Sequence, residues 1–195
     1  MRQPTQKRQQ RIREVLQKRQ PDLTLIMDNI HDPHNVSAIL RSCDAFGVYR
    51  VHLYYTTESF PKIGGKSSAS TRKWVYREKH TQAEAMIKSL RQERFRIAGT
   101  GFGPQAIPVT QWDLSQPSAI ILGNEHSGLS PELKDAVDTE LYIPMQGMVQ
   151  SLNVSVAAAV ILYEAWRQRD LKHMYESPSL KSMIMEMTLE EWLQK

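Results

Sequence analysis

The chain has 195 residues, a net charge of +4 and a single cysteine, Cys43. That length suits one α/β domain with terminal additions, and one cysteine excludes both an intramolecular disulfide framework and a thiolate metal cluster. No apolar run reaches the ~20 residues needed to span a bilayer, and no apolar stretch follows the basic N-terminus, so a cytoplasmic protein with no membrane segment is expected.

Thr5 to Arg19 reads as a basic helix that stops before Pro21. Strands and helices then alternate. Leu23–Met27 is a predicted strand, Pro33–Phe46 a helix with proline near its start, and Val51–Tyr55 a strand. A Gly/Ser-rich loop, Gly64 to Ser70, leads to a strand at Trp74–Arg77, a helix at Gln82–Arg91 and a strand at Phe95–Thr100. Ala119–Leu122 is a short buried strand, Pro131–Ala136 a helix and Leu141–Ile143 a strand. Val154–Arg169 is an almost wholly apolar helix, and Leu180–Gln194 a Met-rich amphipathic one after Pro178. The alternation predicts an α/β fold, a mostly parallel sheet with helices on both faces. The expected division is a basic arm over residues 1–20, a main domain over 21–170 and a helical extension over 171–195.

Charge is uneven along this chain. Residues 1–20 hold seven Lys or Arg against Glu14 alone, so the remaining 175 residues sum to −2. Lys66, Arg72, Lys73, Arg77 and Lys79 form a second cluster with only Glu78 among them. Such runs serve as solvated faces or as contacts to a polyanion, and two of them on a nearly neutral body favour the polyanion.

Some motifs fail on inspection. Gly99-Thr-Gly101-Phe-Gly103 lacks the third spaced glycine of a dinucleotide turn, and Pro104 and Pro108 stand where a helix should open. Gly65-Lys66-Ser67 resembles the end of a P-loop, but Phe60 occupies the first glycine position and no apolar helix follows. His31 and His34 have no further ligand set in view, so loop and cap roles are expected and no metal is assigned.

Three other segments carry chemistry: Asn35-Val-Ser-Ala-Ile-Leu-Arg41 running on to Gly47, Ile120-Ile-Leu-Gly123-Asn124-Glu125 with Gly128, and Ile143-Pro144-Met145 through Ser151-Leu152-Asn153-Val154-Ser155 to Ala157. The last is an uncharged loop feeding an apolar helix, with Ser151 and Asn153 at the join where backbone N–H groups lack partners. On the Pro33–Phe46 helix, Val36, Ile39, Leu40 and Cys43 make an apolar stripe, and Arg41 lies opposite it, free for RNA or solvent. Gly123 and Gly128 bracket Asn124 and Glu125 at the carboxyl end of a buried strand, where open α/β sheets bind ligands and glycine permits close approach. Glu125 reads equally as a ligand contact or as a local charge partner.

In this order and spacing, from about Pro21 to Arg169, the three segments resemble the SpoU/TrmH family of the SPOUT class, RNA ribose 2′-O-methyltransferases. The resemblance implies S-adenosyl-L-methionine as cofactor, a C-terminal deep trefoil knot that strand order alone would not suggest, and a homodimer with its site near the interface. It also implies a tRNA substrate, with the conserved D-loop guanosine at position 18 as target. Carried over by motif, Arg41, Asn35, Glu125, Ser151 and Asn153 are the candidate catalytic residues, and Thr100, Leu122, Gly123, Ile143, Met148 and Leu152 the candidate cofactor contacts. Arg8, Arg11, Arg19, Lys66, Arg72 and Lys73 are the candidate RNA contacts. In the family the arginine is proposed as the base; a guanidinium holds its proton too firmly to be a good one, so Arg41 either shares that task with an RNA phosphate or orients the phosphate and stabilises the oxyanion. Asn35 would position Arg41. The alternatives are a ribosomal RNA 2′-O-methyltransferase, a catalytically silent RNA-binding protein and, more distantly, a nucleotide-dependent oxidoreductase.

Overall fold

The computed structural model describes residues 5–61 and 73–195. The Gly64–Ser70 loop, the Gly65-Lys66-Ser67 motif, Lys66 and Arg72 lie outside the described residues. Seven strands form one sheet: β1 (Leu23–Asp28), β2 (Arg50–Tyr54), β3 (Tyr76–His80), β4 (Arg96–Thr100), β5 (Ile107–Pro108), β6 (Ser118–Leu122) and β7 (Thr139–Tyr142). Their order is β3-β2-β1-β6-β4-β7-β5, and every pairing is parallel. The expected mostly parallel sheet is therefore wholly parallel among the described strands.

Burial explains why the central strands read as continuous apolar runs. Every residue of β1 and β6 is buried, since each strand has a partner on both edges and helices over both faces. On one face, α2 (Pro33–Ala45) and α5 (Val154–Leu171) pack together through Val36, Ile39, Leu40 and Cys43 against Ala158, Ile161, Leu162 and Ala165. The other face is covered by α3 (Ala83–Gln92) and α4 (Pro131–Lys134), through Met86, Leu90 and Leu133. The terminal helices α1 (Gln6–Gln17) and α6 (Ser182–Leu193) close on each other around Ile12, Leu16, Leu189 and Trp192.

Two local expectations shift. The strand expected at Trp74–Arg77 begins at Tyr76, because the Trp74 ring turns aside to meet Trp192, 5.0 Å between centroids. The Ile107–Pro108 strand and the 3-10 turn after it, Val109–Gln111, were not expected, since Pro104 and Pro108 interrupt the pattern. Proline is tolerated there because β5 is an edge strand and one side of it needs no ladder donor.

One sequence assignment is overturned outright. Arg19, grouped with the RNA contacts, is fully buried. Its guanidinium donates to the Asp44 and Val48 carbonyls at 3.2 and 3.1 Å, pairs with the Asp44 carboxylate and lies over the Trp192 ring. A charge so enclosed ties α1 to the α2–β2 turn and is out of reach of a phosphate.

Candidate active site

β6, β4 and β7 run side by side, and the loops leaving their carboxyl ends surround a cavity of about 460 Å³. Neighbouring connections diverge at that edge of a parallel sheet and leave a crevice. Thr100 and Gly101 come from the end of β4, Leu122 to Glu125 from β6, Leu141 to Ile143 from β7, and Ser151 to Val154 from the approach to α5. Five of the expected cofactor contacts, Thr100, Leu122, Gly123, Ile143 and Leu152, thus share one wall. Met148 does not: it is 99% exposed, in a loop whose residues 146–151 are all exposed. Met145, from the same loop, lines the cavity instead.

The glycines serve their own loops first. A Cβ at Gly123 would stand 2.6 Å from the Gly128 carbonyl carbon and 2.8 Å from its oxygen. Asn124 and Gly128 exchange two backbone hydrogen bonds of 2.9 Å, with Gly128 at φ +72°, so the loop folds back onto Gly123. The Asn124 side chain clamps that fold, donating to the Asn29 carbonyl at 2.6 Å and accepting from the His126 and Ser127 amides. Its role was not expected, although an Asn before a tight turn is the available signal. The rejected Gly99–Gly103 motif also finds a cause: the Glu140 carboxylate fills the space over Gly101 and Gly103 and accepts from the Gly103 amide at 2.7 Å.

A polar relay edges the cavity. Asn153 caps α5, its Oδ1 accepting from the Ser155 amide at 2.8 Å, while its Nδ2 donates to Asn35 Oδ1 at 3.1 Å. Asn35 Nδ2 in turn donates to Glu125 Oε1 at 2.8 Å, and Glu125 Oε2 accepts from the His31 amide at 2.9 Å. Partial burial pulls the Glu125 carboxyl upward, but the bonds from His31 and Asn35 outweigh it and hold the group below its ordinary range. Ser151 lines the cavity beside this relay.

Arg41 stands apart. It follows Asn35 by six residues and so leaves the helix on a different side, exposed between Ala38 and Ala45 and off the cavity wall. Among the described residues it has no hydrogen-bond or ion-pair partner, and the bonds of Asn35 go to Glu125 and Asn153 rather than to it. Arg8 and Arg11 are exposed on α1, whereas Lys73 is half-buried and donates to the Lys195 carbonyl at 2.9 Å. The two histidines take ordinary roles, with the His34 amide in the first turn of α2 on the cap Asp32 and the loop His31 Nδ1 3.0 Å from Glu58.

Residues 22–163 match the model of the SpoU rRNA Methylase family. The chain is 43% identical over 195 residues to the tRNA (guanosine(18)-2′-O)-methyltransferase of Thermus thermophilus, covering 100% of both. It is 40% identical over 187 residues to the enzyme of that name from Aquifex aeolicus, 96% of this chain and 89% of that one. The crystal structure of an A. aeolicus TrmH/SpoU tRNA modifying enzyme superposes with a TM-score of 0.90 at 40% identity, covering 96% and 95% of the two chains. The SpoU methyltransferase AviRb from Streptomyces viridochromogenes, solved in complex with the cofactor AdoMet, has a TM-score of 0.70 at 26% identity over 80% of this chain and 62% of that one. With the strand-end cavity and its relay in the same chain, these likenesses place the protein in the SpoU methylase family.

Proposed function

We propose that this protein transfers a methyl group from S-adenosyl-L-methionine to the ribose 2′-oxygen of a tRNA guanosine, the D-loop guanosine at position 18. The observation that carries the proposal is the cavity at the ends of β4, β6 and β7, with the Asn153–Asn35–Glu125 relay at its edge. End-to-end identity to tRNA (guanosine(18)-2′-O)-methyltransferases directs the substrate choice.

The cavity suits the cofactor. Leu122, Leu141, Ile143, Leu152, Ala157 and Ile161 offer an apolar wall for a flat base, and among the described residues Glu125 is the one charged side chain lining it. When bound, S-adenosylmethionine supplies a methyl group already activated on a sulfonium. The protein then has to align the 2′-oxygen and manage its proton. Glu125 is badly placed to take that proton, because both its oxygens are engaged by Asn35 and His31. Its work is to hold Asn35, and through it Asn153, at the cavity edge. Arg41 is the group free to meet an RNA phosphate and stabilise charge developing on the 2′-oxygen.

A single chain leaves Arg41 off the cavity wall, and a homodimer resolves this. Val156, Val160 and Tyr163 form an exposed stripe on α5 beside α2, with Met148 and Val149 exposed nearby in sequence. Such a patch marks an interface, and a second copy seated on it would bring one Arg41 toward the other cavity. The trefoil knot belongs to this reading, supported by the return of α5 from beyond β7 to pack on α2. Among the described residues no helix is long and apolar enough to cross a membrane; a cytoplasmic location follows from the substrate.

The test is transfer of labelled methyl to an unmodified tRNA transcript, the same transcript with guanosine 18 replaced, and ribosomal RNA. Label on the first alone is expected. Ribosomal RNA is included because a 23S rRNA (guanosine-2′-O-)-methyltransferase from Acinetobacter baylyi is 35% identical over 158 residues, 80% of this chain and 64% of that one. Label on ribosomal RNA alone would reverse the substrate assignment.

A further inference from the structure

At the end of the sheet opposite the cavity, β2 and β3 bring three metal-ligating side chains to one point. His52 and Glu78 are register partners on adjacent parallel strands, and His80 lies two residues beyond Glu78 on the same sheet face. His52 Nδ1 and His80 Nε2 are 2.9 Å apart, and Glu78 Oε2 is 3.5 and 3.8 Å from them. We propose that His52, Glu78 and His80 form a binding site for a divalent transition-metal ion of the zinc class.

Ligand atoms held ~2.0–2.1 Å from a tetrahedral ion lie about 3.3 Å from one another, and the three edges here straddle that value. A small movement of the two outer side chains, both partly exposed, equalises them. His52 is only 3% exposed and forms the fixed base, while Glu78 and His80 are partly exposed and leave an entry path and a fourth position for water. The surroundings are prepared as an outer shell. Arg50 donates to Glu78 Oε1 at 3.1 Å, which turns Oε2 toward the imidazoles. Arg50 is also paired with Glu93, so with both imidazoles neutral the group carries one more negative than positive charge and favours a cation. The sequence concealed the cluster because its ligands come from two strands 26 residues apart; Glu78 and His80 alone look like an alternating edge strand.

The rival is a bare hydrogen bond between neutral imidazoles that pins β3 to the sheet. Chelator-treated full-length protein, titrated with Zn²⁺ alone by calorimetry and with Co²⁺ by visible absorption, separates the two. One ion per chain is expected, with tetrahedral Co²⁺ bands and a rise in melting temperature. His80→Gln should weaken binding by more than about 100-fold, beyond what outer-shell changes produce, while methyl transfer to tRNA is retained. Glu78→Gln serves as the second variant if circular dichroism shows the first misfolded. Absence of Co²⁺ bands from the wild-type protein, or equal Zn²⁺ affinity in wild type and a folded variant, overturns the site.

Discussion

Two regions of the molecule, the packed C-terminal ends of α1 and α5 and the outer face of α2, treat arginine in opposite ways. Just after α1 one guanidinium is enclosed. Arg19 is held by Asp44, the Val48 carbonyl and the Trp192 ring. Arg169, at the far end of α5, is equally buried, and donates to Asp22, Gln20 and the Leu114 carbonyl at 2.6, 2.8 and 2.9 Å. Arg41 on α2 has no partner among the described residues and faces solvent beside an uncovered apolar stripe. Enclosing a guanidinium costs several kcal/mol unless nearly every N–H finds an acceptor. A paired, buried arginine is therefore architecture, and an exposed one without a partner is free for a ligand's phosphate.

The largest effect should come from breaking the architectural side. Arg169→Ala removes the donor shared by the Asp22 carboxylate, Gln20 Oε1 and the Leu114 carbonyl and should cost about 3–5 kcal/mol, read as a fall in the urea midpoint. Arg41→Ala should move the same midpoint by under about 0.5 kcal/mol. Equal midpoints for the two variants would dissolve the contrast.

Activity should invert the order. Arg41→Ala should lower methyl transfer to tRNA by about 100-fold or more, roughly 3 kcal/mol of transition-state stabilisation, with cofactor affinity within a few-fold. A sharper version mixes Arg41→Ala protein with a Leu152→Pro variant whose cavity is damaged. If the arginine acts across a symmetric dimer, an equimolar mixture should recover about a quarter of wild-type turnover. No recovery would place Arg41 in its own chain's site.

The relay between the two helices offers a pH test. The Glu125 carboxyl is depressed in the fold, so its bonds stabilise fully above the ordinary glutamate value of 4.5 and are lost as pH falls through the lower folded value. The stability gap between wild type and Glu125→Gln should be level from neutrality down to that ordinary value and narrow below it. A gap that widens with acid contradicts the assignment.

The smallest effect belongs to the outer face of α1. Replacing Arg8 and Arg11 by Ala should reduce the log–log salt slope of tRNA binding by about 2 and leave stability unchanged. Deletion of residues 1–20 is a poor substitute, because it also removes Ile12, Leu16 and Arg19 from buried contacts.

Much of this was legible from residues alone, wherever the cause is local. Alternating apolar runs and prolines place the strands and helices, since period and backbone restriction act within a few residues. Asn153 as a helix cap and Leu122, Ile143 and Leu152 as cavity wall follow from motif and strand-end position. Tertiary structure decided whatever depends on partners far along the chain. Arg8 and Arg19 look alike in a basic helix, and only Asp44 and Trp192 separate them. Gly123 reads as room for a ligand until the Gly128 backbone is found occupying it. Met148 and Met145 sit in one uncharged loop, and only packing selects Met145. His52 and His80 meet only once β2 and β3 pair in register. A sequence specifies the chemistry each side chain can perform, but desolvation and neighbours decide which is performed, and those are set by the fold.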